Sequence, residues 1–427
     1  MITIGKPYVE HSGERAALHA PVTISEDTAK LYVEETAKIK VCKFLTEVDY
    51  PPAAWKEKES GLSFYVEEKY SDSLCTERSN AFVIAFLWYA LITGSDIRFT
   101  APVSKRLYDG LTDRLIPLIA EENHIRPIRL LGPTTEQPLD NAGGIVTGIS
   151  CGVDSLYALH CYGKENTPPE RRITHLIHCV ADSLFPFIDP PYQVEEIIQK
   201  YEYVYNKHEI HNAGVVAKKY GVPLIVVRTN LDLDFYRGGL PYTGMYRFLC
   251  CTLSLEKLFS SYYVASSGNA GHVTGFSLVG PTQDYEEILC DCCSTESFHY
   301  HLSDKETRVN KLRAIADDPT AHRILSVCFG DGEDGINCGA CFGCWKTMIP
   351  LDIMGKLSAF SPVFDLPKYY GNRKKVMKDL IEFSKIPASS TAREVVRQTL
   401  ELTTEYPGEA ASDFRDVIND TGHSDAS

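Results

Sequence analysis

Gly143-Gly-Ile-Val-Thr-Gly-Ile-Ser-Cys-Gly-Val-Asp-Ser-Leu-Tyr157 is the stretch whose reading decides the fold. Ile145 to Ile149 is an apolar run that suits a short buried strand, and Leu156, Leu159 and His160 follow at helical spacing. Between them lie Ser150, Cys151, Gly152, Val153, Asp154 and Ser155, with Asp154 and Ser155 placed to cap the helix. A strand that runs straight into a helix leaves first-turn N–H groups without partners and a positive dipole end facing the turn. Small residues there let a phosphate reach the backbone, most closely at Gly152. The expected order is strand, phosphate-binding loop, helix.

The loop is neither Gly-x4-Gly-Lys-Ser/Thr nor Gly-x-Gly-x-x-Gly. Ser150-x-Gly152-x-Asp154-Ser155 instead resembles the Ser-Gly-Gly-x-Asp-Ser loop of the PP-loop ATP pyrophosphatases, with Cys151 at the position of the first loop glycine. Those enzymes cleave ATP between the α- and β-phosphates, adenylate a carboxylate or carbonyl oxygen and release pyrophosphate. The resemblance implies that Ser150 to Ser155 bind ATP with Mg2+, and that Asp154 and Ser155 belong to the catalytic set.

The whole chain has 427 residues, 44% hydrophobic and 23% charged, which suits two or three globular domains with a sizeable core. It contains no run of eighteen apolar residues, and Met1 to Val9 is too short and mixed for a signal segment. A cytoplasmic location and no membrane partner are therefore expected. Fourteen cysteines without such a segment point to reduced thiols and a metal site rather than disulfides. A net charge of -14 argues against nucleic acid as a partner, since a broad binding face would be basic.

Before the loop, Ile2 to Ile4, Ile39 to Phe44, Leu62 to Tyr65 and Asp96 to Thr100 read as strands. Asn80 to Leu91 reads as a strongly apolar helix, and Lys105 to Ile116 as an amphipathic helix stopped by Pro117. The polar, turn-rich segment Pro133 to Ala142 is the natural boundary, giving an α+β accessory domain over 1–142. From Gly143 strands and helices alternate: strands at Ile173 to Val180, Val222 to Val227 and Val273 to Val279, helices at Val194 to Ala217 and Leu253 to Val264. That pattern predicts an α/β domain over 143–350 with a doubly wound parallel sheet, its ligand beyond the carboxyl ends of the strands. Residues 351–427 read as amphipathic helices, with a turn over Thr403 to Asp413 and a disordered tail from Thr421. Lys368, Arg373, Lys374, Lys375 and Lys378 form either a solvated face or a contact for an acidic partner.

Cys328-x9-Cys338-x2-Cys341-x2-Cys344 supplies four thiolates that can close a tetrahedral Zn2+ site of the structural type, with no position left for water. An iron–sulfur cluster and uncoordinated buried cysteines are the other readings. Cys290, Cys292 and Cys293 read either as a second metal or redox cluster or as core or loop cysteines, and their adjacency, which makes joint chelation awkward, favours the second. The four-cysteine arrangement is similar to the zinc site of the 7-cyano-7-deazaguanine synthases, a branch of the PP-loop enzymes. Glu209-x3-Ala213-x3-Ala217-x3-Gly221-Val222, which packs small residues on one helix face, also looks like that branch's second helix. The branch's Tyr-Gly-Gln after the second strand is replaced by Cys179-Val-Ala-Asp182. On a helix expected over Asp304 to Ala316, Asn310-Lys311 occupies the place of the branch's Thr-Lys. Arg308 and Lys311 share a face that either meets phosphate oxygens or is simply solvated. Asp284-Tyr285 and Asp291-Cys292 resemble its substrate segment, making Asp284, Tyr285, Asp291 and Arg308 candidate substrate contacts and Lys311 a catalytic one.

Together these likenesses, over residues 143 to 350, imply an AMP-forming carbon–nitrogen ligase using ATP, Mg2+ and Zn2+. Its substrate would be a deazapurine, 7-carboxy-7-deazaguanine, whose carboxylate is adenylated for attack by an amine. The length added in front looks like the enlarged members found in bacterial antiviral-defence operons. There a partner protein from the same operon would supply the amine in place of ammonia. Two alternatives stay open: a PP-loop RNA thiolase using Cys151 or Cys290, and a non-catalytic zinc-stabilised adapter that senses nucleotide.

Overall fold

The computed structural model describes residues 1–36, 40–43, 46–49, 61–163, 167–180, 208–231, 235, 244–266, 285–328, 336–386 and 390–421. Its centre is an eight-stranded sheet. Five parallel strands form one part: β12 (Gly144–Gly148), β13 (His175–Val180), β14 (Leu224–Thr229), β15 (Phe259–Val264) and β16 (His299–Leu302). Three antiparallel strands extend it: β2 (Tyr8–Ser12), β3 (Arg15–Ala20) and β7 (Leu62–Glu67). The order is β16-β15-β12-β13-β14-β7-β3-β2, so the chain leaves β12 first to one side and later to the other. The architecture is mixed α/β with a mostly parallel central sheet.

Two apolar cores lie on the two faces. One contains α5 (Val153–Tyr162), α6 (208–220), α9 (Arg308–Ile315), α11 (Phe342–Ile353) and the C-terminal helices α13 (Arg373–Ser384), α14 (Ser390–Glu405) and α15 (Glu409–Asp420). The other gathers α7 (Gly244–Leu253), α8 (Tyr285–Cys293) and, from the N-terminal part, α2 (Asn80–Thr93) around Val146, Ile177, Ile225, Val227, Phe259 and Tyr262 of the sheet. Helix α2 carries no charged residue, so it has no face to give to water and is buried all round. It packs on β7 through Phe82 and Phe64, whose rings are 5.5 Å apart, and ends at Gly94 in the left-handed conformation. On its other side lies a small sheet ordered β10 (Leu130–Leu131), β8 (Ile97–Phe99), β1 (Ile2–Ile4), β4 (Val22–Ile24). The main sheet and its core thus run unbroken across the 133–142 segment.

Three local expectations need correction. Pro117 does not stop the helix that begins at Lys105: a π-helical stretch, Gly110–Leu115, leads into α4 (Ile116–Glu122), where Pro117 sits in the first turn. The backbone stays helical from Leu115 into Ile116, whose N–H donates to the Leu111 carbonyl, so the proline stands inside a continuous helix. Leu253 to Val264 is not one helix; α7 ends at Leu253, where the Ser254 hydroxyl donates to the Cys251 carbonyl at 2.7 Å. The aromatic and β-branched run Phe259-Ser-Ser-Tyr-Tyr-Val264 then pairs as β15 between β12 and β16. Within Thr403 to Asp413 only the Pro407-Gly408 region breaks the helices, α14 reaching Glu405 and α15 starting at Glu409. The strand expected at Val273 to Val279, the first part of the helix expected from Val194, and the tail after Thr421 lie outside the described residues.

Candidate functional site

Strand β12 has β13 on one side and β15 on the other, and its chain leads into the 149–152 turn. This is the switch point of the parallel sheet, where a crevice opens beyond the carboxyl ends. At Gly148 a Cβ would lie 2.5 Å from the Tyr262 hydroxyl oxygen, so any side chain there must displace that ring. Cys151, at the position of the resemblance's loop glycine, has φ of +57°, the left-handed conformation that glycine adopts freely. Its side chain is buried, and burial, aided by the Glu209 charge, pushes the thiol up to about 12. The Cys151 carbonyl accepts from Ser326 N at 3.0 Å.

The helix cap differs from the expected one. Gly152 is the N-cap of α5 and no side chain caps its first turn. Ser155 Oγ donates back to the Gly152 carbonyl at 3.1 Å and lies 3.4 Å from Ser150 Oγ, so Ser150 and Ser155 close the turn between them. Asp154, in the first turn, faces two cations of α9 instead. Arg308 Nη1 donates to its Oδ2 at 2.9 Å and Lys311 Nζ to its Oδ1 at 3.4 Å. Burial alone would raise the Asp154 carboxyl, but Arg308, Lys311 and Lys346 outweigh it and hold the pKa below its ordinary value.

The α9 face is not solvated. Lys311 is 1% exposed, and its ammonium also donates to the Ser266 carbonyl at 2.6 Å and pairs with Asp304 at 2.9 Å. It lies 5.7 Å from the centre of the Tyr157 ring. Arg308 reaches Thr347 Oγ1 with Nη2 at 3.4 Å, while its Nε is buried without a partner. Lys346, on α11, is a third basic group beside Asp154; burial and then Arg308 pull its ammonium down to about 7, so near neutral pH it is charged only in part. Two cations and a partly protonated Lys346 therefore converge under a turn of small residues at an uncapped helix start. An anion of the size and charge of a phosphate group suits this arrangement.

On the flank, the imidazole of His178 donates from Nδ1 to the Ile149 carbonyl at 2.9 Å, and its Nε2 lies 3.5 Å from Glu209. Asp304, Ser266, Lys346, Thr347, His178 and Ser326 were not singled out from sequence. Lys346 and Thr347 are neighbours on α11, and the others come from separate segments that only the fold brings together. Lys346, two residues after the last cysteine of the cluster, was the most readable of them.

The cysteine cluster sits beside this site. Among the described residues Cys328, Cys338, Cys341 and Cys344 are the group arranged to hold a metal, with all four sulfurs within 4.8 Å of one another. The sulfurs of Cys341 and Cys344 are 3.6 Å apart, Cys338 and Cys344 3.9 Å, Cys328 and Cys341 4.0 Å. A tetrahedron with metal–sulfur bonds of about 2.3 Å has edges of about 3.8 Å, so the four thiols fit one ion such as zinc. Thiolates of a four-iron cluster bind four different irons and stand farther apart. Backbone N–H groups of Cys338 and Ala340 point at the sulfurs of Cys328 and Cys338, each at 3.4 Å.

Of the remaining candidates, the one whose side chain is described, Asp291, is not brought to the loop. Asp291 is on the surface of α8, paired with Arg114. Asp284 lies outside the described residues, as does the side chain of Tyr285, which opens α8. Cys290, Cys292 and Cys293 are buried in the core of the opposite sheet face. The basic patch is neutralised in part, with Arg373 on Glu409 and Asp413, and Lys374 on Asp413. No described helix is long and apolar enough to cross a membrane. Compared with known protein families, curated proteins and solved structures, the chain matches none.

Proposed function

We propose that the chain is an ATP-dependent, AMP-forming ligase of the PP-loop type, which activates a carboxylate for attack by an amine. The observation that carries this is the convergence of Arg308, Lys311 and Lys346 on Asp154, below the uncapped start of α5 at the switch point of the sheet. The chemistry follows from placing a triphosphate there. The substrate carboxylate oxygen attacks the α-phosphorus, the bond to the β-phosphate oxygen breaks, and pyrophosphate leaves with the electron pair. The amine then attacks the acyl carbon and AMP departs. Asp154 is the residue that would hold Mg2+, which supplies charge to offset that of the departing pyrophosphate. Arg308 and Lys311, freed from that carboxylate, would then donate to phosphate oxygens. The N–H groups of the Ser150 to Ser155 turn would hold the remaining oxygens, and the thiolate-bound zinc would be structural. One such donor is commonly worth 10²–10³-fold in rate.

By the loop and cysteine resemblance, the acid is 7-carboxy-7-deazaguanine and the amine is ammonia or a group on a partner protein. The buried, protonated thiols of Cys151 and Cys290 give a thiolase no nucleophile, which weighs against that alternative. The test is mass spectrometry of reactions with MgATP and the deazaguanine acid, with ammonium or partner proteins as acceptor. AMP that depends on the acid and falls at least 100-fold in Asp154→Asn is expected. If no AMP forms with any acceptor, the ligase reading is wrong and the adapter takes its place.

A further inference from the structure

The cysteine centre and the loop are joined by two separate runs of contacts. In the first, Asn337, beside Cys338, accepts with Oδ1 from Val327 N at 2.8 Å and Cys328 N at 3.0 Å. Its Nδ2 donates to the carbonyls of Leu325 and Val363, each at 2.9 Å. Ser326 is therefore clamped on both sides, and its N–H donates to the Cys151 carbonyl in the loop. In the second, Cys341 is the N-cap of α11 and Cys344 lies in its first turn. One turn on, Thr347 donates from Oγ1 to the Gly343 carbonyl at 2.8 Å and accepts from Arg308, which grips Asp154. Thr347 is fully buried, so this contact has no water to replace it.

We propose that the two are one thermodynamic unit. An ion on Cys328, Cys338, Cys341 and Cys344 fixes Ser326 and Thr347, and through them the Cys151 carbonyl and the Arg308 guanidinium. Metal occupancy and binding of a nucleoside triphosphate's phosphates then strengthen each other, as linkage requires. Thr347 is a positioning residue: it touches neither metal nor phosphate. This inference rests on the loop being a phosphate site.

The experiment uses the full chain with Mg2+ and α,β-methylene-ATP, an analogue that cannot be cleaved at the α–β bond. Metal loss to a chromophoric chelator is timed with and without the analogue, and analogue affinity is measured by calorimetry for loaded and stripped protein. About tenfold slower metal loss, and about tenfold tighter binding by the loaded form, are expected. Thr347→Val should still show the absorption of a four-thiolate site when loaded with Co2+, yet weaken both effects by cutting one of the two runs, and Thr347→Ser should restore them. Equal affinity of loaded and stripped protein overturns the coupling but leaves the phosphate site. If stripped protein unfolds, Thr347→Val and Asn337→Asp decide together: unchanged metal protection and affinity in both holoproteins overturn the coupling. Failure of the loaded protein to bind the analogue at all overturns the phosphate site and the coupling with it.

Discussion

At the scale of single residues, the loop shows what local chemistry can and cannot announce. Gly148 is a glycine because of Tyr262, which stands more than a hundred positions later and meets it only through the β12–β15 pairing. Gly148→Ala places a methyl 2.5 Å from the Tyr262 hydroxyl oxygen, where both residues are held by the sheet. A loss of about 1–3 kcal/mol in urea unfolding is expected, typical of forced overpacking. In a Tyr262→Phe background, where that oxygen is gone, the same alanine should cost at least about 1 kcal/mol less; additive losses would show that the clash is absent. Ser150, Gly152, Asp154 and Ser155 were legible from sequence because a strand-to-helix turn is a local event. The conformation of Cys151 was not, since only a glycine announces a left-handed position by its type. The partners of Asp154 were half legible. Arg308 and Lys311 share a helical face by spacing alone, whereas Lys346 reaches the same carboxylate from a different helix.

At the scale of elements, the junction of β13, α6 and the loop hangs on His178. Its ring, buried in the sheet, donates to the Ile149 carbonyl one residue before the loop. Burial, as the largest influence, lowers its pKa from the ordinary 6.5, so the folded chain keeps it neutral. The sign follows: the unfolded chain takes up this proton as pH falls below about 6.5, and the folded chain resists. The stabilisation is complete above pH 6.5 and is lost as pH drops toward the folded value. For one group the slope is at most about 1.4 kcal/mol per pH unit. Unfolding free energies at pH 7.5, 6.5 and 5.5 should therefore fall more steeply for the wild-type protein than for His178→Gln, which retains a donor for Ile149 but cannot titrate. Parallel slopes would mean that His178 reaches water. Element types were readable where period and length agreed, as in α2 and β13. The reading failed at Leu253 to Val264, where a helix end and a strand start are both apolar and no glycine or proline separates them.

The whole molecule differs most from what periodicity alone suggests. The turn-rich segment 133–142 looks like a boundary, yet β7 pairs with β14 on its far side, at Arg228↔Tyr65 and Thr229↔Phe64. Pairing between such distant strands leaves no mark in either sequence, because a strand's pattern records which face is buried and not which neighbour it has. The apolar core on that face of the parallel strands is completed by α2, with Phe82, Phe86, Leu87 and Leu91 all fully buried. Each such side chain is worth about 2 kcal/mol when removed from water. A chain reduced to residues 143–427 would lose that cover and leave β14 as an open edge with its own Ile225 and Val227 uncovered, a combination that invites association. That fragment should be aggregated, or should bind a hydrophobic dye and melt without a cooperative transition. Co-expression with residues 1–142 should restore a soluble complex if the two parts share one core. A monomeric 143–427 fragment with a sharp transition at the melting temperature of the full chain would show instead that the N-terminal part only rests on a finished α/β domain. The first outcome makes the added strands and α2 part of the scaffold beneath the loop, so any partner they receive would act through the same sheet that carries Gly148 and Ser150.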